Sequence, residues 1–345
     1  MAQNSTEITP RSGSVLDGTQ HIGPALTVNT PVTINLNVDQ LERYTFSANA
    51  GSTYALQVAG VTGQPVTVSV FSPNVSTITE SDYYTSFTTS GTELVNLPNL
   101  PATGTYTVVV YPGWGGPSSS AQLTLLPGAS GAMTVGGPWP TYASNVAGQN
   151  IYLSFNAATG DNLDFTLSNL SVTGGSAIVV NVYNPNGSNV LSLDCSVSSV
   201  NCRAGLWNLT AGTYTIILSP PSSNAVISVT PELTAEIGGP VLVVNTAVAF
   251  NLNVYQVERY TFSANAGNSY ALQLSGVAGQ PVTVSVFSPT VSTITENDYY
   301  ATFTTSSSSQ QLTLSDLPAT GTYTVVIYPG WGGPSSSGQL TLVAQ

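Results

Sequence analysis

Pairs of acidic residues separated by one position occur twice in this chain. They are Glu80 with Asp82, and Glu296 with Asp298. A glycosidase needs two carboxyl groups that face each other across a cleft, one of them with a raised pKa. Two acids at alternate positions of a strand point to the same side, and on a loop they form a solvated edge or a weak calcium site. These four residues are therefore candidate ligands of a weak calcium site, and no catalytic residue is predicted.

The other reactive side chains are few. His21 is the only histidine, and no acid close to it in the sequence would complete a catalytic triad. The chain has two Cys and two Met, too few for most transition-metal sites. We expect a protein that is not an enzyme and that needs no cofactor, calcium being the one candidate.

Aromatic residues next to the acid pairs and in glycine-rich loops are the candidates for binding or for an interface. They are Tyr83, Tyr84, Trp114, Tyr299, Tyr300 and Trp331. Exposed rings stack on sugar faces or bury against a neighbouring subunit. The alternative is that these rings cover the core ends of their own domain.

The two cysteines, Cys195 and Cys202, lie on neighbouring strand-like pieces with a tight turn between them. A disulfide across that hairpin is geometrically easy and would stabilise the fold by about 2.5 kcal/mol in the loop-entropy model. This reading favours an oxidising compartment. The alternatives are two free thiols in a cytosolic protein, or a zinc site that lacks two ligands.

The charge balance excludes several classes of partner. Sixteen acidic residues against four arginines, with no lysine, give a formal net charge of −12. This is the wrong sign for a nucleic-acid backbone or an anionic lipid surface. No apolar run is long enough to span a bilayer, so we expect neither nucleic-acid binding nor membrane insertion.

An internal repeat organises the 345 residues. The stretch from Val28 to Phe87 recurs from Val244 to Phe303 with most positions identical, and a divergent copy lies between them, in which Tyr152 takes the place of Tyr44. We predict three domains in A-B-A order. The expected boundaries are an N-terminal extension at 1–23 and repeats at 24–127, 128–235 and 236–345.

Each repeat has the pattern of β-strands. Apolar and polar residues alternate in 54–58, 66–70 and 106–110, as in strands with one buried face. Turn residues separate these runs, for example at 50–52 and 60–63, and Gly51 and Gly104 are expected at positive φ. The prediction is an all-β chain of three tandem β-sandwich or jelly-roll domains.

The order of motifs resembles a known family. Tyr-x-Phe at Tyr44, then Ala-Gly, an alternating strand, Ser-Pro-Asn at Ser72, and Ala-Thr-Gly-Thr-Tyr at Ala102 are similar to the pre-peptidase C-terminal (PPC) domains of secreted prokaryotic proteins. The resemblance implies an extracellular jelly-roll module, appended to secreted hydrolases or strung along surface proteins. Some members bind calcium, collagen or polysaccharide. Gln64 and Gln280 stand where members often carry an acid, which argues against inherited calcium binding.

These observations predict a secreted or cell-surface structural protein, an adhesive, matrix or filament subunit. Like domains at the two ends favour head-to-tail self-association, because heterologous contacts that do not close generate open fibres. Residues 2–23 are either a leader or a strand donated to the next subunit. The alternative function is an accessory module that binds carbohydrate or collagen for a secreted hydrolase.

Overall fold

The computed structural model describes residues 19–38, 40–75, 82–112, 118–198, 202–253, 256–291, 294–295, 299–329 and 335–345. The chain divides into two compact units, Met1–Ala129 and Ser130–Gln345. All regular structure in the described residues is β, which confirms the predicted fold class. These residues include no helix that could cross a membrane.

The first unit is built from two sheets. One has the strand order β1-β3-β8-β5-β6 and the other the order β2-β9-β4-β7. All neighbouring strands run antiparallel except β1, which is parallel to β3. The strands are β1 (Thr19–Ala25), β2 (Val32–Leu36), β3 (Gln40–Ala48), β4 (Tyr54–Gly63), β5 (Val66–Phe71), β6 (Thr85–Thr89), β7 (Glu93–Leu97), β8 (Gly104–Pro112) and β9 (Ser119–Pro127).

The alternating runs of the sequence supply the core of this unit. Alternate residues of β3, β5 and β8 point inward, among them Phe46, Val68 and Tyr106, and meet Leu56 and Leu123 from the other sheet. The rings of Phe46 and Tyr106 stack with centroids 5.2 Å apart. The two sheets thus share one apolar interior, as a sandwich requires.

Two of the predicted glycine conformations are confirmed, and one predicted turn is not. Gly51 has φ 81° and Gly104 has φ 151°. The residues 60–63, expected as a turn, belong to β4, whose register against β9 shifts between Ala59 and Thr62. The cause is Gly60 at φ 62°, since a glycine at positive φ inserts a β-bulge without ending the strand.

The first strand begins before the expected repeat boundary. Its residues His21 and Ile22 pair with Glu42 and Arg43 of β3. Part of the predicted 1–23 extension is therefore a strand of the first sandwich, and residues 1–18 lie outside the described residues. The repeat hid this strand because its counterpart, Ile237–Val241, differs from it in sequence.

The first half of the second unit contains two further sheets, with orders β10-β12-β17-β14-β15 and β11-β18-β13-β16-β24. We call this half the middle sandwich; β24 comes from the other half of the unit. The strands are β10 (Ala129–Ala132), β11 (Tyr142–Ala143), β12 (Ile151–Ala157), β13 (Leu163–Thr173), β14 (Ala177–Tyr183), β15 (Asn189–Ser196), β16 (Cys202–Leu206), β17 (Gly212–Ser219) and β18 (Val226–Ala235).

The predicted disulfide between Cys195 and Cys202 is present, with the two Cα atoms 5.4 Å apart. It does not cross a hairpin ladder as expected. Cys195 lies on β15, which pairs with β14, whereas Cys202 lies on β16, which pairs with β13. The bond therefore links β15, an edge strand of one sheet of the middle sandwich, to β16 of the other sheet.

The predicted equivalence of Tyr152 with Tyr44 is wrong by one residue. Phe155 stacks on Tyr214 as Phe46 stacks on Tyr106, and counting back along β12 places Leu153, not Tyr152, at the position of Tyr44. Leu153 is buried and Tyr152 is half-buried. Because successive strand residues point to opposite faces, a shift of one residue moves the side chain out of the core.

The second half of the second unit, the C-terminal sandwich, repeats the topology of the first unit. Its sheets have the orders β19-β21-β27-β23-β25 and β20-β28-β22-β26. Phe262 and Tyr323 stack in its core with centroids 5.3 Å apart. The strands are β19 (Ile237–Val241), β20 (Ala247–Leu252), β21 (Glu258–Ala264), β22 (Tyr270–Gly279), β23 (Val282–Phe287), β24 (Ile294–Thr295), β25 (Ala301–Thr305), β26 (Ser309–Leu314), β27 (Gly321–Pro329) and β28 (Ser336–Ala344).

Candidate functional site: the joint between the middle and C-terminal sandwiches

A strand from the C-terminal sandwich completes a sheet of the middle sandwich. The backbone of β24 pairs antiparallel with β16, with Ala204 opposite Thr295 and Gly205 opposite Ile294. Strand β16 is otherwise an edge of the sandwich to which it belongs. Strand addition at an exposed edge is a general mode of protein recognition, because main-chain hydrogen bonds supply affinity without demanding a particular sequence.

The indole of Trp207, just after β16, forms the apolar centre of this joint. It packs against a small cluster of the C-terminal sandwich formed by Val257, Phe287 and Val326. The indole meets the ring of Phe287 edge to face, with centroids 5.7 Å apart and planes at 84°. This geometry is favourable for aromatic pairs, so the contact fixes orientation as well as burying area.

A carboxylate and a guanidinium close around the same indole. The Nε1 of Trp207 donates to Oε1 of Glu236 at 3.1 Å, and Nε of Arg259 donates to Oε2 of Glu236 at 2.5 Å. The guanidinium carbon of Arg259 lies 3.4 Å from the centroid of the indole. One tryptophan, one acid and one arginine therefore form a closed set of charge-assisted and cation–π contacts.

A second ion pair lies beside the first. The Nε of Arg203 on β16 donates to Oδ1 of Asp164 at 2.6 Å. The guanidinium of Arg203 lies over the ring of Tyr328, 3.9 Å from its centroid. Tyr328 belongs to β27 of the C-terminal sandwich, so both cation–π pairs connect the two sandwiches.

Burial controls the electrostatics of the joint. The side chains of Asp164 and Glu236 are only 5% and 3% exposed. Removal from water raises the pKa of Glu236 to about 7, although Arg259 opposes the rise. Burial likewise raises the pKa of Asp164 above its usual range. Both shifts follow from desolvation of the two carboxyl groups at the contact.

The residues predicted from the sequence as binding sites have mixed positions. Tyr84 and Tyr300 pack against the cores of their own sandwiches, and their hydroxyls donate to the carbonyls of Pro98 and Ser315. The residues that precede them in the sequence, Tyr83 and Tyr299, are exposed, at 46% and 43%. In each Tyr-Tyr pair, the second ring therefore packs on the core and the first lies on the surface.

Other predicted residues lie outside the described residues: Glu80, Trp114, Glu296, Asp298 and Trp331. Asp82 is exposed. Within the described ranges, no group of three or more His, Cys, Asp or Glu side chains is arranged to hold a metal ion. Calcium at the acid pairs therefore stays a prediction.

Sequence reasoning missed the joint. Arg203 and Trp207 lie in the divergent middle copy and Glu236 stands at its predicted boundary with the last repeat, so the comparison of the near-identical first and last repeats did not single them out. A usable signal was present, since arginine is so rare here that Arg43 and Arg259, at matching positions, are half of all cations. The two matching arginines indicate a strand face with a specific contact, but they do not identify the residues that pack against it.

Comparison with known proteins finds a match to one family model. Residues 41–112 and 256–329 match the model of the Bacterial pre-peptidase C-terminal domain, in agreement with the predicted resemblance. Domains of this family are non-catalytic and occur in secreted bacterial proteins. The comparison with curated proteins finds no match.

Among solved structures, Aeromonas hydrophila PliG, a periplasmic lysozyme inhibitor, is 17% identical over 31% of this chain and 98% of its own, with a TM-score of 0.26. The M60 catalytic domain of Clostridium perfringens ZmpB with its CBM51 domains is 8% identical over 92% of this chain, with a TM-score of 0.19. Tripeptidyl peptidase 2 is 9% identical over 93%, with a TM-score of 0.25. This chain spans only 34% and 24% of the last two structures.

Proposed function

Because the chain contains two pre-peptidase C-terminal domains, at residues 41–112 and 256–329, we propose that it is a non-catalytic structural protein of the cell exterior. Its copies associate head to tail into a filament, matrix or adhesive layer. The disulfide between Cys195 and Cys202 supports an oxidising location, because such bonds persist mainly outside the reducing cytosol.

The observation that carries this proposal is the joint of the second unit. There, one sandwich extends the sheet of another through β24 and β16 and buries Trp207 against Phe287. Sandwiches of this type therefore have ends that recognise one another within a single chain. The same kind of contact between chains would be heterologous, and heterologous contacts that do not close build open fibres.

Sedimentation velocity of the purified full-length chain over a range of concentrations, with negative-stain electron microscopy, tests the proposal. We expect species larger than the monomer to increase with concentration, and fibres or linear arrays in the images. A chain that stays monomeric at high micromolar concentration and shows no assemblies would contradict a structural role by self-association.

The second candidate function is binding of polysaccharide. It is favoured by Tyr83 and Tyr299, which are exposed at matching positions of the first unit and the C-terminal sandwich, because exposed rings stack on sugar faces. The test is glycan binding by the wild type and by a variant with Tyr83→Ala, Tyr299→Ala, Trp114→Ala and Trp331→Ala. Loss of binding with self-association unchanged would favour this function over the first.

The strand-donation hypothesis is now confined to residues 1–18, because β1 pairs within its own sandwich. Deletion of residues 2–18, followed by imaging, tests it. Filaments that persist unchanged would exclude a donated N-terminal strand.

A further inference from the structure

A turn of the middle sandwich contains the sequence Asn-Gly-Ser at residues 186–188. The turn joins β14 to β15, and Asn186, Gly187 and Ser188 are all exposed. An asparagine two positions before a serine or threonine is the acceptor sequence for N-linked glycosylation, and such a sequence is used on surface loops of exported proteins. This turn is therefore a candidate site of covalent modification.

The hydrogen bonds of this turn are made by Asn184 and leave the acceptor groups free. Oδ1 of Asn184 accepts from the backbone N–H groups of Asn186 and Ser188 at 3.0 Å and 2.9 Å. The N–H of Gly187, at φ 79°, donates to the carbonyl of Asn184 at 2.9 Å. Among the described residues, the side-chain amide of Asn186 and the hydroxyl of Ser188 make no hydrogen bond. An enzyme can therefore reach both groups without opening the fold.

Two other acceptor sequences of the middle sandwich, at Asn169 and Asn208, differ in this respect. Nδ2 of Asn169 donates to Oγ1 of Thr230 at 3.4 Å, and Asn169 lies within the paired strand β13. In the other sequence, Oγ1 of Thr210 forms a hydrogen bond with the hydroxyl of Tyr214 at 3.2 Å. Each sequence therefore has one of its two required groups already engaged in the fold.

The equivalent turn of the C-terminal sandwich lacks the acceptor. Pro185 lies against the glycine that begins β17, and Pro289 lies against the glycine that begins β27; a Cβ added to either glycine would be 2.7 Å or 2.9 Å from the proline ring. The residue after the proline is Asn186 in one turn and Thr290 in the other. After Thr290 the chain enters β24, which pairs with β16 at the joint. The acceptor is thus absent from the turn that leads into the joint.

We propose that Asn186 carries an N-linked oligosaccharide. Nδ2 of Asn186 forms a bond with the anomeric carbon of a sugar carried on a polyprenyl pyrophosphate. The bond from that carbon to the pyrophosphate oxygen breaks, the lipid pyrophosphate leaves, and the amide nitrogen loses one proton. This inference rests on the proposed location of the chain outside the cell and does not depend on self-association. The glycan would add hydrated surface to a chain in which only 6% of residues are charged.

Mass spectrometry of the full-length protein isolated from its source organism tests the proposal. After digestion with chymotrypsin, we expect sugar on the peptide that contains Asn186 and none on the peptides that contain Asn169 or Asn208. Asn186→Gln and Ser188→Ala, produced in the same organism, should lose this sugar completely. Ser188→Thr is the matched control, because it keeps the acceptor sequence and should retain the sugar. A wild-type Asn186 without sugar, whether intact or deamidated, overturns the proposal.

Acceptor activity in vitro separates the effect of the fold from that of the sequence. The folded, unmodified full-length chain and three peptides, each spanning one acceptor sequence, are given to an oligosaccharyltransferase that requires only the three-residue sequence, with its lipid-linked oligosaccharide. Relative to the peptides, we expect Asn186 to be modified at least about tenfold faster than Asn169 and Asn208 in the folded chain. Equal relative rates would overturn the selection of Asn186 by the fold.

The outcomes also separate glycosylation from the function proposed for the chain. A protein that carries sugar on Asn186 and stays monomeric refutes head-to-tail association alone. A protein that associates and has no sugar on Asn186 refutes glycosylation alone.

Discussion

Glu236 shows how one residue can serve two contacts at once. Its carboxylate accepts from Trp207 and from Arg259, and its own position between β18 and β19 connects the middle sandwich to the C-terminal one. Removal of a single acid would therefore leave an indole N–H and a guanidinium unpaired in a buried place. The energetic consequences of losing such a partner exceed the net value of the bond itself.

The raised pKa of Glu236 predicts a specific dependence of stability on pH. The folded state holds the proton more tightly than the unfolded chain, since the pKa is about 7 against 4.5. Between these values a rise in pH costs stability, up to about 3 kcal/mol. We expect the Tm of the wild type to rise by several degrees between about pH 7.5 and about pH 5. In Glu236→Gln most of this rise should disappear, and a Tm that falls on acidification in the wild type would contradict the assignment.

The aromatic centre of the joint gives a second prediction at this scale. Trp207→Ala removes the ring that covers Phe287 and Val257, which should destabilise the second unit by about 2–4 kcal/mol. Tyr83→Ala is the control, because that ring is exposed on the first unit. Calorimetry on both variants measures the effect. Equal Tm values for the two would show that the indole contributes little.

At the scale of elements, edge strands decide how the second unit is held together. Strand β16 is covered on one side by β13 and on the other by β24, and its first residue is tied to β15 by the disulfide. Exposed strand edges invite unwanted pairing, and covering them is a common solution. Here the cover comes from the neighbouring sandwich, so the same device protects an edge and joins two modules.

The disulfide should stabilise the second unit and leave the first unaffected. Its closed loop is short, with a sequence separation of 7, for which loop entropy gives about 2.5 kcal/mol. Cys195→Ala with Cys202→Ala, or reduction under native conditions, should therefore lower the Tm of the second unit by several degrees. The first unit, which contains no cysteine, is the internal control. An equal shift in both units would point to a general effect of the reducing agent.

At the scale of the whole molecule, the cationic side chains are few, and most of them also lie within strands. Of the four arginines, Arg43, Arg203 and Arg259 lie within β3, β16 and β21 and are half-buried. Proteases need an extended, accessible backbone, which paired strands do not offer. The exterior of the described molecule therefore offers trypsin almost nothing to cut, a property suited to a protein that works outside cells.

Limited digestion checks this property directly. We expect trypsin to leave the native chain intact from residue 12 onward, because Arg11 is the one arginine outside the described strands. Mass spectrometry of the products over several hours gives the result. Early fragments ending at Arg203 or Arg259 would show that the joint opens readily, and would contradict its role as a rigid connection.

The fold class, the repeat and the turn glycines could be read from the sequence because they depend on local patterns. Alternation along 54–58 and 66–70 requires strands with one buried face whatever the neighbours are, and Gly51 and Gly104 mark backbone conformations that other residues avoid. Near-identical segments must also fold alike, so the C-terminal sandwich repeats the sheet topology of the first unit.

The partners across sheets and sandwiches were decided only by the tertiary structure. Cys195 and Cys202 were correctly paired from their spacing, but their placement on two different sheets depends on the course of β15 and β16. Tyr152 was wrongly aligned with Tyr44 because the sequence of the divergent middle copy does not reveal its strand register. An error of one residue along a strand assigns the side chain to the opposite face of the sheet. Arg259 and Trp207, 52 residues apart, meet because two independently patterned sandwiches contact each other. A local hydrophobic pattern predicts that a residue is buried, but it does not predict which distant residue it will contact.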